Sequence, residues 1–190
     1  MRVITGSARG RRLGELEGME TRPTTDRVKE GMFNILQFDI KGRRVLDLFA
    51  GTGQLGIECL SRGAASAVFV DRRSDAVKLI RENLKTTELA ERATVVAGDS
   101  VAYLKSAREK FDLILLDPPY AAGLLEPVIA HIAGFDILAP HGIIVAEHPA
   151  DKTLPALTPP YRLHRTYRYG RIALTVYRRD GNEQNEETAP

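Results

Sequence analysis

The sequence predicts a doubly wound α/β domain: a mostly parallel sheet, an antiparallel hairpin at its C-terminal edge and a small extended flap before it. Three observations predict it. Short apolar runs alternate with helical patterns through the middle of the chain. A glycine-rich turn follows the first run, where a strand would enter a helix. Two long runs, 161–169 and 171–178, meet at Gly170 with no room for a helix between them, so they must pair antiparallel.

The elements follow in order. Residues 1–22 form the flap, and 23–179 the main domain. Thr24, Thr25 and Asp26 can start a helix whose Val28, Met32, Ile35 and Leu36 share a face. Residues 44–49 read as a first strand, and Gln54 to Arg62 as a helix with Leu55 and Cys59 on one side and Gly63 as its stop. A second strand spans 67–71. Ser74 or Asp75 can cap the next helix, which carries Val77, Ile80 and Leu84. A third strand spans 94–97 and a fourth 111–117, where Leu113, Ile114, Leu115 and Leu116 suit burial on both faces. Leu125, Val128, Ile129 and Ile132 mark another helix, and 142–147 a fifth strand. Residues 180–190 are polar and acidic and are expected to be disordered.

Composition narrows the class. The 190 residues are 43% hydrophobic and 27% charged, as in a globular domain. One cysteine, Cys59, excludes a disulfide framework and points to a reducing, cytoplasmic compartment. The N-terminus lacks an apolar signal core, and no run nears the roughly 20 apolar residues that span a bilayer. His131, His141, His148 and His164 show no ligand spacing, so no metal is expected. His148 reads as strand-end packing and Cys59 as core.

The formal net charge of +2 hides an asymmetry. Residues 1–12 hold four Arg and no acid, and 152–179 hold Lys152 and six Arg with no acid. The tail 180–190 holds four acids, and the centre is also acidic. Such arms suit a polyanion. Arg2, Arg9, Arg11 and Arg12 are candidate phosphate contacts. Arg168, with Arg165 and Arg171 among Tyr161, Tyr167 and Tyr169, could add charge and base stacking, or the tyrosines could face the core.

The glycine turn carries the first site. Gly51, Gly53 and Gly56 match G-x-G-x-x-G, and Asp71 follows 20 residues after Gly51, where a carboxylate can bind ribose hydroxyls. Asp47 would repel a pyrophosphate and suits a cationic ligand such as S-adenosylmethionine, whereas NAD is the other nucleotide the pattern admits. Asp47, Asp71, Asp99 and Asp117 end four successive strands, at the side where such sheets bind ligands. The cofactor candidates are Asp47, Phe49, Ala50, Gly51, Thr52, Gly53, Asp71, Arg72, Asp99 and Ser100. Asp117, Pro118, Pro119 and Tyr120 then form a stiff loop of acceptors. Asp117 and the Pro118 carbonyl can accept both hydrogens of an exocyclic amino group, and Tyr120 can stack on an extruded base.

The 47–53 and 117–120 segments resemble class I methyltransferase motifs. Residues 21–30 (TRPTTDRVKE) and 56–64 (GIECLSRGA) are similar to the RsmD family, over about residues 1–179. Members of that family methylate guanine N2 in bacterial small-subunit ribosomal RNA. The resemblance implies a seven-stranded, Rossmann-like class I fold and S-adenosylmethionine as cofactor. It also implies a flipped base, and Arg22, Thr24 and Arg27 near the methionine end of the cofactor. The implied partner is small-subunit ribosomal RNA or the assembling 30S particle, met by a monomer. Asp71 stands where the family more often has Glu. The motif is shared with adenine N6 enzymes, and an NAD-dependent oxidoreductase or a non-catalytic RNA-binding module are the other classes the residues allow.

Overall fold

The computed structural model describes residues 1–16, 25–119 and 123–181. Among them seven strands form one sheet in the order β3-β2-β1-β4-β5-β7-β6. The strands are β1 Arg44–Asp47, β2 Ser66–Asp71, β3 Ala93–Ala97, β4 Phe111–Leu116, β5 Leu138–Pro149, β6 Tyr161–Tyr169 and β7 Ile172–Arg179. The first five run parallel, and β7 lies antiparallel between β5 and β6. The doubly wound sheet and the terminal hairpin are therefore as the sequence predicts.

Helices cover both faces. α1 Thr25–Ile35, α2 Gln54–Ser61 and α3 Ser74–Thr87 pack Met32, Phe33, Ile57, Leu60, Ile80 and Leu84 against Val45, Phe69, Leu113 and Val145. α4 Ser100–Ser106 and α5 Leu125–Gly134 pack Leu104, Val128, Ile129 and Ile132 against Leu46, Val70, Ile114 and Ile144. Alternate residues of β1 and β4 thus feed opposite cores, which is why their sequences read as continuous apolar runs. Winding reverses between β1 and β4, and this switch point opens a crevice beyond their carboxyl ends.

Two features differ from the expectation. α4 was not legible as a helix, because its seven residues bury only Ser100 and Leu104. β5 begins at Leu138, not Gly142, through an irregular start in which Phe111 pairs with Leu138 before the register resumes at Leu113 and Ile143. The predicted tail opens with two placed residues. The Asp180 amide donates to the Pro160 carbonyl at 2.8 Å, and its carboxylate meets Arg162 at 2.9 Å. Residues 182–190 and 17–22 lie outside the described residues.

The flap is docked, not free. Val3 and Arg11 share a backbone bond, as do Leu13 and Met1, and Arg2 bridges Arg12. Glu58 of α2, with no exposed surface, accepts from the amides of Ile4 at 2.8 Å and Thr5 at 2.9 Å. Its charge is met by Arg62 at 2.8 Å and Lys29 of α1 at 3.7 Å. Ser61 adds bonds to Thr5, Ser7 and Ala8. No helix among the described residues is long and apolar enough to cross a membrane.

Candidate functional site

Strand register brings the predicted acids to one rim. Asp47 lies opposite Leu115 on β4 and Phe69 on β2, so Asp117 and Asp71 each stand two residues further along. Asp71 pairs with Ala97, which places Asp99 two residues beyond it. The four residues therefore stand along the carboxyl edge of adjacent strands.

The glycine loop is held by that rim. Asp71 is half-buried; one oxygen accepts from the Gly51 amide at 2.8 Å and the other from the Arg73 amide at 2.9 Å. A carboxylate has about four acceptor positions, so two remain for a ligand hydroxyl. Gly53 caps α2 in the left-handed region, at φ 77°, which glycine adopts without a steric penalty. Gly56 lets α2 lie against β2: a Cβ there would sit 2.3 Å from the Phe69 ring. The three glycines thus serve the turn, the helix start and the close helix–strand packing of a nucleotide loop.

Asp47 corrects the sequence reading. It is 1% exposed and accepts from the Gly56 amide at 3.0 Å, beneath the loop and not on its open side. Burial pushes its carboxyl up to about 7, with the Asp71 charge adding and the Gly56 bond opposing. It braces the loop against α2. Asp99 is exposed, and one oxygen caps α4 by accepting from Val101 at 2.9 Å and Ala102 at 3.0 Å. Ser100 is buried as the first residue of that helix.

The remaining loop residues divide. Phe49 is half-buried against the second core, Ala50 is buried, and Thr52 is half-buried with its hydroxyl 3.7 Å from the Met1 sulfur. Arg72 is exposed, whereas Arg73 pairs with Asp75. Asp117 is half-buried, Pro118 buried and Pro119 exposed at the end of β4. Arg27 is exposed on α1, close enough to bear on the Tyr169 hydroxyl. Arg22, Thr24 and Tyr120 lie outside the described residues.

A cleft of about 890 Å³ opens beside the flap, lined by Met1, Arg2, Arg9, Arg12, Glu15 and Glu30 among others. Among the described residues no carboxylate pairs with Arg2, Arg9 or Arg12. Arg11 differs: it donates to the Thr86 carbonyl at 2.6 Å and pairs with Glu88 at 3.0 Å, pinning the flap to the end of α3. Its guanidinium is committed within the chain, which corrects its reading as a free phosphate contact.

At the hairpin the core-facing alternative holds for the tyrosines. Tyr161 is 5% exposed and donates to Asp136 at 3.1 Å, while Tyr167 and Tyr169 are half-buried against the first core. Arg165 lies 5.1 Å above the Tyr167 ring, and Arg168 is exposed. His148 is 2% exposed and bonded to Thr175 at 2.8 Å. Cys59 is fully buried. Among the described residues no three His, Cys, Asp or Glu are grouped to hold a metal.

Sequence reasoning missed Glu58, Ser61 and Asn83, the buried polar residues that dock the flap. Their one signal is a polar residue on the apolar side of a helix, as Glu58 is beside Cys59.

Residues 1–178 match the family model described as Conserved hypothetical protein 95. The chain is 42% identical to YlbH of Bacillus subtilis (strain 168), over 95% of this chain and all of that one (100%). It is 34% identical to Ribosomal RNA small subunit methyltransferase D of Escherichia coli (strain K12), over 98% of this chain and 93% of that one. Among solved structures, yhhF from Escherichia coli matches with a TM-score of 0.86 at 32% identity, covering 96% of this chain and 99% of that chain.

Proposed function

The chain belongs to the Conserved hypothetical protein 95 family, the RsmD family, and from that membership we propose that it methylates the exocyclic N2 of a guanine in small-subunit ribosomal RNA. It is a methyltransferase of the class that uses S-adenosylmethionine, which supplies the methyl group as an electrophile on a sulfonium.

The residues present fit that cofactor. A Cβ at Gly51 would meet nothing nearer than the Phe49 carbonyl at 4.0 Å, Asp71 keeps acceptor capacity for ribose hydroxyls, and the rim is acidic where the ligand is cationic. Phe49, Ala50, Thr52 and Gly53 complete the loop. Arg72, Asp99 and Ser100 border it, and Arg22, Thr24 and Arg27 belong to its methionine end.

The observation that carries the reading is the placement of Asp117-Pro118-Pro119 at the end of β4, two residues past the Asp47–Leu115 register and beside the cofactor loop. Two prolines remove two amide donors, so the loop presents carbonyls and a carboxylate. The Asp117 carboxylate and the Pro118 carbonyl accept the two N2 hydrogens. That would aim the nitrogen lone pair at the methyl carbon, and the bound cofactor would supply a sulfonium whose C–S electron pair leaves on a neutral thioether as the N–C bond forms. Once methylated, N2 is acidic and passes one proton to the Asp117 carboxylate and on to water, so Asp117 serves mainly by orientation and electrostatics and need not be a strong base. Tyr120 stacks on the base once it is flipped from the RNA.

Arg2, Arg9 and Arg12 line the flap cleft and hold phosphates of the RNA, which positions the strand without reading its sequence. Arg168, exposed on the hairpin, adds a separate phosphate contact. The substrate is the RNA or the assembling 30S particle, met by a monomer in the cytoplasm. Mass-spectrometric mapping of ribosomal RNA from cells lacking the protein tests the reading. Loss of one N2-methylguanine from the small-subunit RNA is expected. Loss of an N6-methyladenine instead would favour the adenine enzyme that shares the motif.

A further inference from the structure

Asn83 of α3 is 2% exposed, and its amide joins two parts of the molecule that the reaction uses separately. The nitrogen donates to the Thr52 carbonyl of the glycine loop at 2.9 Å. The oxygen accepts from the Gly14 amide, at the end of the flap, at 2.7 Å, and the nitrogen also reaches the Gly14 carbonyl at 3.4 Å. A backbone N–H can only donate, so the amide orientation is determined: oxygen towards the flap, nitrogen towards the loop.

A second contact joins the same parts. The Met1 sulfur lies 3.7 Å from the Thr52 hydroxyl, while the Met1 ammonium pairs with Glu15 of the flap. The flap is one hydrogen-bonded unit from Met1 to Leu13, and Arg2, Arg9 and Arg12 of that unit line the cleft. Moving the flap relative to α3 therefore strains a buried amide whose other partner is the cofactor loop. Buried polar groups lose most when one partner leaves, so the two contacts favour one joint arrangement.

We propose that Asn83 is a positioning residue that couples RNA engagement by the flap to cofactor binding at the glycine loop. This rests on the reading of the flap as the RNA surface and of the loop as the cofactor site. RNA phosphates on Arg2, Arg9 and Arg12 add to the contacts that already dock the flap and stabilise that docked arrangement. Gly14 then holds the Asn83 oxygen, and the Asn83 nitrogen holds the Thr52 carbonyl in the loop conformation that receives the cofactor. Coupling of this kind is reciprocal, so cofactor also tightens RNA binding.

The test is equilibrium dialysis of labelled S-adenosylhomocysteine, with and without saturating small-subunit particles from cells lacking this protein. The product cannot turn over, so binding is read alone. Particles are expected to tighten wild-type binding by about fivefold or more. Asn83→Asp keeps an acceptor for Gly14 and sets a second acceptor against the Thr52 carbonyl; its factor falls to about one. Asn83→Ala does the same.

Thr87→Ala is the control for helix damage. Its hydroxyl bonds only the Asn83 and Leu84 carbonyls of the same helix, at 2.7 and 3.2 Å. It keeps the wild-type factor even where its Tm falls as far as that of the Asn83 variants. Wild type that binds both ligands with no change in affinity overturns the coupling and leaves the methyltransferase reading standing. So does an Asn83→Asp chain that keeps the full factor. Wild type that binds neither ligand overturns both.

Discussion

Replacing Asp47 by Asn should remove a loss of stability that the wild-type chain suffers as pH rises. Burial holds the Asp47 carboxyl at about 7, against 3.8 for the free group. Between those values the folded state binds a proton that the unfolded state has released, so stability falls with rising pH and levels off above about 7. At about 1.4 kcal/mol per pH unit, the interval from pH 5 to 7 is worth about 3 kcal/mol. Asn keeps an acceptor for the Gly56 amide and carries no charge. Its amino group needs a partner it lacks, at a cost of about 1–2 kcal/mol. Urea unfolding without cofactor, at pH 5 and pH 8, reads the difference. The wild type should lose about 3 kcal/mol more than Asp47→Asn over that range. His148, whose burial lowers its pKa, contributes with the opposite sign but equally in both chains, so it cancels. Parallel pH profiles, or a variant weaker by its full cost at pH 8, would refute the assignment of Asp47 as a buried brace.

Further outcomes follow from the same geometry. Asp117→Ala should lower turnover by about a hundredfold or more, as loss of an electrostatic positioning group does. It should leave S-adenosylhomocysteine affinity within about twofold by calorimetry. Alanine at Arg2, Arg9 or Arg12 should each weaken RNA binding whatever its sequence and lower the slope of log affinity against log salt by about 0.7–0.9. Arg11→Ala should leave that slope nearly unchanged, because its guanidinium is taken by Glu88 and the Thr86 carbonyl. Glu58→Ala removes the buried carboxylate that meets Lys29 and Arg62 and strands two flap amides, and should cost about 3–5 kcal/mol. Hydrogen exchange at Ile4 and Thr5 would show the flap released.

The doubly wound sheet was legible because β1 and β4 are apolar on both faces and their ends carry glycine or proline. The rim of acids was legible for the same reason: each Asp closes a strand. The role of Asp47 was not, because sequence places a carboxylate at a strand end without saying which side of the loop it takes. Only the Gly56 amide, nine residues on, decides that. Arg11 looked equivalent to Arg9 and Arg12, since its partner Glu88 is 77 residues away in the chain. The docking of the flap was not legible, because its anchors, Glu58, Ser61 and Asn83, are polar residues buried by tertiary packing, which local periodicity hides. α4 escaped notice because it is short and buries little, although Asp99 stands before it as an ordinary cap.

The most direct test of the account is transfer of tritiated methyl from S-adenosylmethionine to small-subunit particles from cells lacking this protein. Label is predicted in the small-subunit RNA, at N2 of a guanine, and absent with Asp117→Ala. Label at adenine N6, or only in protein, would contradict it.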